Sequence, residues 1–481
     1  MGTFFIAFFC GVVGWYEGIT FGIFVVALVV FFLIRYRWFD DGGLDIWTKK
    51  RVVYLFLVIL FGFFCGFARS GWVETRHVDA VREIVSRGVV DLEGSLSNDP
   101  RAASFGQRVA VDIDTIGDVE IAVPNEVELW RGDVVRIRGK IVEDVRYGVT
   151  YLKMQPVKIL SVSGPMGFFG ALASTRRYFV VRMQTLFPES VGAFMVGILA
   201  GGERGLSAEV KGDFRRTGLS HILAVSGYNV SLLLTLGVAV IPVRRKWRFA
   251  VFGFLLLVFI GFVGFQASAV RAAIMGFLGV WAASLGRVKD MSLVLLWSGF
   301  VMVLYDPSML LFDKGFQLSF FATVGVMYVS PVVMRWFPKS LNKETDTGHA
   351  GACLIESFAG TLAVYIALLP VTMSFGKLPL IGLVTNLLFV WFIPIAMMIG
   401  SGVFVLSFLV YPLAFAMARF VSMFVSWYFA SIHFFSWLPF SVFDVPPMSK
   451  YVVVGHYVLL TWWICRSECA AGSIITPQHP S

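Results

Sequence analysis

The stretch ILAGGERGLSAEVKGDFRRTGLSHILAVSGYNVSLLL, residues 198–234, decides the fold class of this chain. It begins apolar, becomes charged and rich in glycine, and then enters a second apolar run that carries polar residues. A segment that only anchored the chain in a bilayer would be apolar throughout. Polar and ionisable groups are costly at membrane depth, so they usually face a cavity lined by protein. The stretch therefore indicates a polar path through a membrane protein.

The composition of the whole chain is typical of a protein with many membrane spans. Of its 481 residues, 57% are apolar and 15% are charged, and the mean hydropathy is +0.78. These values lie far from those of ordinary soluble domains. Apolar runs alternate with loops rich in Lys and Arg, which stay in the cytoplasm, and they predict about 10–12 crossings. These runs include residues 19–34, 249–265, 268–285, 292–305, 316–334 and 380–399. We therefore predict a polytopic α-helical membrane protein with additional re-entrant and amphipathic helices.

The chain divides into four predicted parts. Residues 1–69 form N-terminal transmembrane helices, residues 166–465 form the main transmembrane domain, and residues 466–481 are a polar C-terminal tail. Residues 70–165 differ, because short runs of alternating apolar and polar residues are separated there by Gly and Pro. Such runs predict an inserted all-β domain, a small barrel or sandwich of about five strands. Since the basic loop 35–51 precedes one further span, we expect this domain outside the cytoplasm.

A basic stripe is the candidate binding surface of the inserted domain. In VVRIRGKI, residues 134–141, the residues Arg136, Arg138 and Lys140 alternate with apolar positions. Clustered positive charge drives phosphate binding, so the stripe is a candidate DNA contact. However, residues 70–165 hold 12 Lys and Arg against 15 Asp and Glu. A solvated strand face is therefore the alternative interpretation.

Three sequence blocks resemble blocks of the ComEC competence proteins and occur in the same order as in that family. ComEC proteins are bacterial inner-membrane channels that bring DNA into the cell. The blocks are TGLSHILAVSGYNVSLLL (217–234), GFQASAVRAAIMGFLGVWAASLGR (264–287) and DPSMLLFDKGFQLSFFATVGVM (306–327). The resemblance covers roughly residues 90–440. It implies an OB-fold for the inserted domain and passage of single-stranded DNA through the membrane domain.

Nine residues form the predicted DNA path, and each is polar, cationic or a glycine within or beside an apolar run. Arg271 is the principal cation, because a guanidinium can hold a phosphate in more than one geometry. It could instead snorkel to the membrane surface, and the polar residues could simply join helices. The family usually has His where this chain has Asn229, which removes a titratable group. The nine residues are Arg215, Arg216, His221, Ser226, Gly227, Asn229, Gln266, Arg271 and Gln317.

The sequence predicts no catalytic residue, metal site or cofactor. Members of the resembled family often end in a metallo-β-lactamase-like nuclease domain, which needs a His-x-His-x-Asp-His cluster for two metals. No such cluster occurs among the six histidines, so we interpret the chain as a short form without the nuclease. A GxxxxGK[ST] phosphate loop is also missing from the sequence. We therefore expect a separate DNA receptor, nuclease and cytoplasmic motor, while the sequence leaves open whether one chain or a homodimer forms the pore.

Two other functions are weighed against DNA uptake. A secondary transporter for a small anion would also use broken helices and a buried arginine, although no internal repeat is evident. An intramembrane protease could use Ser226 as nucleophile, with His433 or His456 as base. No GxSxG context surrounds Ser226, and an aspartyl protease based on Asp306 would lack its second motif.

Overall fold

A computed structural model describes residues 2–17, 46–103, 106–114, 116–124, 126–146, 149–155, 157–165, 167–223, 227, 245–284, 290–337, 348–439, 441–446 and 448–470. The chain forms two compact units. The first comprises Met1–Arg177 with Gly227–Phe316, and the second comprises Tyr178–Ser226 with Gln317–Ser481. The predicted span 19–34 and the end of the polar tail, 471–481, lie outside the described residues.

The first unit opens with two tightly packed helices, α1 (Gly2–Glu17) and α2 (Ile46–Ser86). Their backbones meet at two glycines. A Cβ atom on Gly11 would lie 2.0 Å from the carbonyl oxygen of Phe63, and a Cβ on Gly66 would lie 2.0 Å from that of Phe8. Small residues permit such close approach of apolar helices, so only glycine fits at this crossing.

Helix α2 extends well past the predicted start of the β domain at residue 70. The helix continues to Ser86, and the first strand begins at Val89. Apolar residues three and four positions apart, such as Val81, Ile84 and Val85, give the last turns of α2 one apolar face. This face packs against the core of the β domain. Residues 70–86 are therefore helical, which corrects the expectation of short strands there.

The β domain is a closed barrel. Its strands are β1 (Val89–Leu96), β3 (Gly106–Ile113), β4 (Gly117–Val123), β5 (Val134–Arg146) and β6 (Val149–Met154). They follow the order β1-β3-β4-β6-β5, and β1 pairs with β5 to close the ring. The β4–β6 pairing is parallel, and the other pairings are antiparallel. Two further strands, β2 (Arg101–Ala103) and β7 (Lys158–Ser163), extend the sheet along β3 and β5.

Alternation of side chains along the strands fills the barrel interior. Every second residue of β3, of β4 and of β5 up to Ile141 points inward, as the period of two in a strand requires. The barrel core contains Val109, Val111, Ile113, Val119, Ile121, Val135, Ile137, Ile141, Leu152 and Met154. Gly94 precedes Ser95, which pairs with both β3 and β5. A Cβ on Gly94 would lie 2.4 Å from the carbonyl oxygen of Asp112, so glycine permits the close approach of β1 to β3. The closed five-stranded barrel is consistent with the predicted OB-fold.

Apolar helices complete the first unit. They are α6 (Arg245–Val263), α7 (Ala267–Ser284), α8 (Met291–Tyr305) and the short α9 (Met309–Phe312); the first part of α3 (Gly167–Leu186) also belongs here. Two arginines connect elements within this unit. The barrel residue Arg131 donates to the carbonyls of Val263 and Gly261 at the end of α6. Arg176 of α3 forms a buried bidentate ion pair with Asp99, at 2.9 and 2.6 Å.

The second unit is helical and includes the last part of α3. Its other helices are α4 (Glu189–Ala200), α5 (Ala208–Arg216), α10 (Lys314–Val324), α11 (Ser330–Met334), α12 (Gly348–Met373), α13 (Gly382–Phe389), α14 (Phe392–Leu409), α15 (Tyr411–Ser436) and α16 (Lys450–Ala470). Among the described residues, four segments are long and apolar enough to cross a membrane: Lys314–Met334, Leu354–Met373, Phe392–Leu409 and Tyr411–Ser436. These segments support a membrane protein, and the higher predicted span count stays a prediction.

Two predicted spans of the second unit differ in detail from the structure. The span expected over 380–399 is broken, because α13 ends at Phe389 and α14 begins at Phe392. The span from 316 to 334 is continuous but contains a π turn over Gly325–Val329. Pro331 has no N–H to donate to the carbonyl four residues earlier, and such a missing bond favours a local π turn.

Two contacts define opposite ends of the second unit. Strands β8 (Lys377–Leu378) and β9 (Phe443–Asp444) pair where α12 and α15 have ended. We call this the β8–β9 end. At the other end, Arg335 after α11 donates to the carbonyl of Ser467 in the last turn of α16, at 2.5 Å. We call this the Arg335 end.

Candidate functional site: the signature segment and its supports

Helix α4 leads into the signature segment and ends inside the second unit. Its twelve residues span about 18 Å, well short of a hydrocarbon core of about 30 Å. Most of its side chains are buried. The chain then turns through Gly201, Gly202 and Gly205, whose φ angles are 71°, 106° and 82°. These left-handed conformations favour glycine and allow the charged segment 203–216 to follow a buried helix directly.

Helix α5 has buried residues on one side and two exposed arginines in its last turn. Ser207 caps its N-terminus, since its side chain accepts a hydrogen bond from the backbone N–H of Val210. Asp213 is buried, whereas Arg215 and Arg216 are exposed in the last turn. Cations are favourable at the C-terminal end of a helix. The two predicted arginines are therefore held at one end of a short amphipathic helix.

Asp213 fastens α5 to the end of α15. One carboxylate oxygen lies 2.8 Å from Nδ1 of His433, and the other accepts the hydroxyl hydrogen of Ser436 at 2.6 Å. A buried carboxylate needs such partners, because an unpaired charge is costly away from water. Both carboxylate oxygens are thus satisfied by residues on one turn of α15.

The apolar side of α5 enters an aromatic cluster. The ring of Phe214 lies 6.0 Å from that of Phe194, 6.2 Å from that of Tyr428 and 6.2 Å from that of Phe429. These are normal separations for packed aromatic rings. Polar and apolar contacts therefore hold α5 from the same side.

The Thr217-Gly218 pair follows α5 at a crowded junction. Gly218 has a φ of 70°, and the N–H of the next residue, Leu219, bonds to the carbonyl of Phe214 at 2.8 Å. This is the Schellman pattern that ends many helices. The carbonyl of Thr217 accepts the hydroxyl hydrogen of Thr385 from α13, at 2.7 Å.

A tyrosine completes the junction. The hydroxyl of Tyr365 on α12 donates to the carbonyl of Pro379 at 3.0 Å. A Cβ atom on Gly382 would lie 1.7 Å from this hydroxyl oxygen, and one on Gly218 would lie 2.8 Å from it. The signature segment therefore meets α12 and α13 at two glycines.

The remaining signature residues are placed unevenly. His221 lies in a 3-10 turn, Ser220–Ile222, where it is exposed and its Nδ1 is 3.2 Å from the carbonyl oxygen of Gly218. Gly227 belongs to the first unit, where a Cβ on it would lie 3.6 Å from Cβ of Ala272. This places it beside the helix that carries Arg271. Ser226 and Asn229 lie outside the described residues.

Arg271 and Gln266 belong to the first unit. Arg271 is a half-buried residue in the second turn of α7, and Gln266 immediately precedes that helix.

Arg131 of the barrel donates to backbone carbonyls at the end of α6, the helix before α7. Burial, with a smaller contribution from nearby Arg176, lowers the pKa of Arg131 to about 10, so it keeps its charge at neutral pH.

Gln317 is half-buried in the first turn of α10. Asp313 caps this helix, since its Oδ1 accepts from the N–H groups of Gly315 and Phe316 at 2.8 and 3.2 Å. Asp306 accepts from the N–H and hydroxyl of Ser308 and forms a turn. Both aspartates of this block therefore have structural roles.

The basic stripe of the barrel is exposed as predicted, but one member is paired. Arg136, Arg138 and Lys140 face outward, and Ile137 and Ile141 face the core. Arg138 binds both carboxylate oxygens of Asp91, at 2.5 and 2.6 Å. Hydrogen bonding by Arg138 lowers the pKa of Asp91. A phosphate at Arg138 would therefore compete with a carboxylate.

The second-unit supports were missing from the sequence prediction. Asp213, Tyr365, Gly382 and Thr385 carried no signal of a shared site, because they are distant along the chain. His433 was considered only as a protease base, and the other candidate base, His456, bonds through Nε2 to the carbonyl of Ile366 at 3.0 Å. Within the described ranges, no group of three His, Cys, Asp or Glu could hold a metal ion.

The signature segment lies at the start of a region that matches a known protein family. A sequence profile of the family described as "Competence protein" matches residues 198–469. The "ComE operon protein 3" of Bacillus subtilis (strain 168) is 24% identical over 472 residues, which cover 91% of this chain and 55% of that protein. The chain therefore spans about half the length of this curated relative. No solved structure matches the chain.

Proposed function

We propose that this chain, which belongs to the competence protein family, is a bacterial inner-membrane channel that takes up single-stranded DNA during natural transformation. One observation carries the proposal. The family match begins at Ile198, in the short buried helix that leads to the exposed cations of α5. Broken helices and cations beside a membrane domain are typical of a path for an anionic substrate.

The charges near the two ends of the second unit support an orientation. The Arg335 end is followed by Lys339 and Lys343 in the sequence, and loops of this kind stay in the cytoplasm. The β8–β9 end would then face outward, where DNA arrives. α5 contacts α15 near that end, so Arg215 and Arg216 are cations on the side where they are less common. Binding of an anionic substrate on that side would account for these two cations.

The predicted path residues take their roles from this orientation. Arg215, Arg216 and His221 would meet the strand first, and Gln266, Arg271 and Gln317 would line the hydrated path. Weak and multiple contacts suit a polymer that must keep moving. The barrel would receive or orient the strand outside the cytoplasm. The channel itself performs no covalent chemistry in this proposal, and separate receptor, nuclease and motor proteins supply the other steps.

The test is uptake of labelled DNA into a DNase-resistant state. We expect deletion of the gene to abolish protected label while label bound at the cell surface persists, and the intact gene to restore uptake. The double variant Arg215→Gln/Arg216→Gln should reduce uptake at normal protein levels, because it removes two phosphate contacts. Arg82→Gln/Arg87→Gln, which neutralises the exposed Arg82 of α2 and the exposed Arg87 immediately after that helix, is the matched control.

Normal protected label in the deletion strain would refute the proposed function. In that case, uptake of small anions by the purified chain in vesicles becomes the assay to run. Equal loss of uptake in the α5 variant and its control would instead refute the specific role of Arg215 and Arg216.

A further inference from the structure

The imidazole of His433 is held in place and partly exposed near the β8–β9 end. Its Nδ1 lies 2.8 Å from Oδ2 of Asp213, and 45% of its side-chain surface is exposed. The same carboxylate holds Ser436, whose hydroxyl also lies 2.9 Å from the carbonyl oxygen of His433. Asp213 of α5 therefore orients the ring through Nδ1.

The second ring nitrogen of His433 is available. Nε2 lies on the side of the imidazole away from Nδ1, and it has no hydrogen-bond partner in the part of the chain that the structure describes. A histidine whose Nδ1–H is held by a carboxylate has a defined tautomer and orientation. Asp213 is thus a positioning residue that directs Nε2 outward.

An exposed aromatic ring lies beside His433, and the charged groups around the histidine come from α5. Arg216 is exposed in the last turn of α5, three residues beyond Asp213. Trp437 lies one turn beyond His433, with ring centroids 6.2 Å apart, and it is 76% exposed. The acidic groups that face His433 from α5 are Asp213 and Glu209; Glu209 Oε1 lies 4.0 Å from Nδ1 and is largely exposed.

We propose that His433 and Trp437 form a nucleotide contact of the channel. In the protonated imidazolium form, Nδ1–H of His433 stays on Asp213 and Nε2–H donates to a phosphate oxygen of single-stranded DNA, while the indole of Trp437 stacks on a base. Positive groups that follow the backbone, together with exposed aromatic rings, are the usual elements of single-strand binding. The inference rests on the proposed function, because it assumes that DNA reaches this surface.

The fixed imidazole is what favours this contact over a purely structural role. A tryptophan near a helix end often anchors a protein at the membrane surface, and this would account for Trp437 alone. It would not account for a histidine beside it that is oriented by a buried carboxylate and open on its other nitrogen. A purely structural hydrogen bond to Asp213 would not need the ring to be exposed.

The first test measures binding of a fluorescent single-stranded oligonucleotide to the purified full chain in neutral detergent. His433→Gln keeps a donor for Asp213 but cannot gain a proton. At pH 6 we expect the slope of log K against log salt to fall by about 0.7, the value for one phosphate contact to a single strand. At pH 9 the variant and the wild type should agree. His456→Gln is the matched control and should change neither slope.

The second test separates base stacking from membrane anchoring. Trp437→Ala should weaken binding of an oligothymidylate at least about fivefold, because stacking on one base is lost. It should leave binding of an abasic oligonucleotide of equal length unchanged. Trp391→Ala, which removes another exposed tryptophan of the second unit, should affect neither ligand.

The outcomes distinguish this inference from the proposed function. Wild-type binding by both variants would overturn the contact, even if the deletion strain has lost DNA uptake. Equal losses for base-bearing and abasic strands in Trp437→Ala would also overturn it. A His433→Gln defect only in binding vesicles that contain phosphatidylglycerol would assign the site to lipid. Uptake by the deletion strain would refute the proposed function as well.

Discussion

Asp213 shows how one side chain organises the signature segment. It holds His433 and Ser436, which follow it by 220 and 223 positions in the sequence. Nothing in the local pattern of α5 identifies these partners, because an acidic residue in a polar helix usually faces solvent. The pairing arises only when α5 packs against the end of α15.

At the same scale, Gly382→Ala should destabilise the junction below the signature segment. The added Cβ would lie 1.7 Å from the hydroxyl oxygen of Tyr365 and 3.3 Å from the carbonyl oxygen of Thr217. Tyr365 would have to move and lose its bond to Pro379. We expect a loss of about 1–3 kcal/mol in the free energy of unfolding, as for other overpacked sites, measured by thermal unfolding in detergent.

The control for this prediction is Gly360→Ala, because in the described part of the chain no atom outside its chain neighbours and its own helix backbone lies within 4 Å of the position that its Cβ would occupy. Adding Tyr365→Phe to Gly382→Ala should restore part of the loss, since the hydroxyl is the nearest obstacle. Equal stability of Gly382→Ala and Gly360→Ala would contradict the described junction.

Asp112→Asn should stabilise the β3–β4 hairpin of the barrel at neutral pH. Asp112 is directly opposite Asp118 in the strand register. Burial, followed by the charges of Asp118 and Asp114, raises the pKa of Asp112. Its contribution to stability is therefore fully present below the ordinary carboxyl pKa and is lost as pH rises through the higher folded value.

Amide hydrogen exchange of the hairpin in the full chain measures this effect. After correction for intrinsic rates, Asp112→Asn should slow exchange about twofold at pH 7, which corresponds to about 0.5 kcal/mol for relief of a like-charge cross-strand pair. The difference between variant and wild type should shrink towards pH 4. Faster exchange in the variant at pH 7 would show that the carboxylate has a favourable partner.

At the scale of elements, the helix positions between residues 245 and 305 could be predicted from sequence. The runs expected at 249–265, 268–285 and 292–305 correspond to α6, α7 and α8 within a few residues. The end of α2 could not be predicted from the run of residues 70–86, because its apolar face is completed only by the barrel core. The break between α13 and α14 was also missed, because hydropathy is continuous across it.

Gly66→Ala tests the packing of α1 against α2. Its Cβ would meet the backbone of Phe8, so the two helices would have to separate. Cys10 of α1 is a buried free thiol, and we expect it to react faster with a maleimide in mild detergent. Labelling located by mass spectrometry gives the readout. In Gly455→Ala, no other described part of the chain lies within 4 Å of the added Cβ, so the rate should stay at the wild-type value. The same rate in Gly66→Ala would contradict the crossing.

At the scale of the whole molecule, the sequence blocks were sufficient to identify the family. The match over residues 198–469 confirms the resemblance that rested on the three blocks. The supports of the site could not be predicted, since Tyr365, Thr385 and His433 carry no shared motif and meet through tertiary packing. The DNA path itself stays a prediction, and its residues are divided between the two units.

The most direct test of the account is to trap DNA in transit. Gln266 and Gln317 are replaced, one at a time, by a photo-reactive amino acid, and cells are irradiated while they take up labelled DNA. Leu409, which is largely exposed on α14, is the control position. The account predicts DNA adducts at positions 266 and 317 and none at position 409. Continued uptake with no adduct at 266 or 317 above the level at 409 would contradict it.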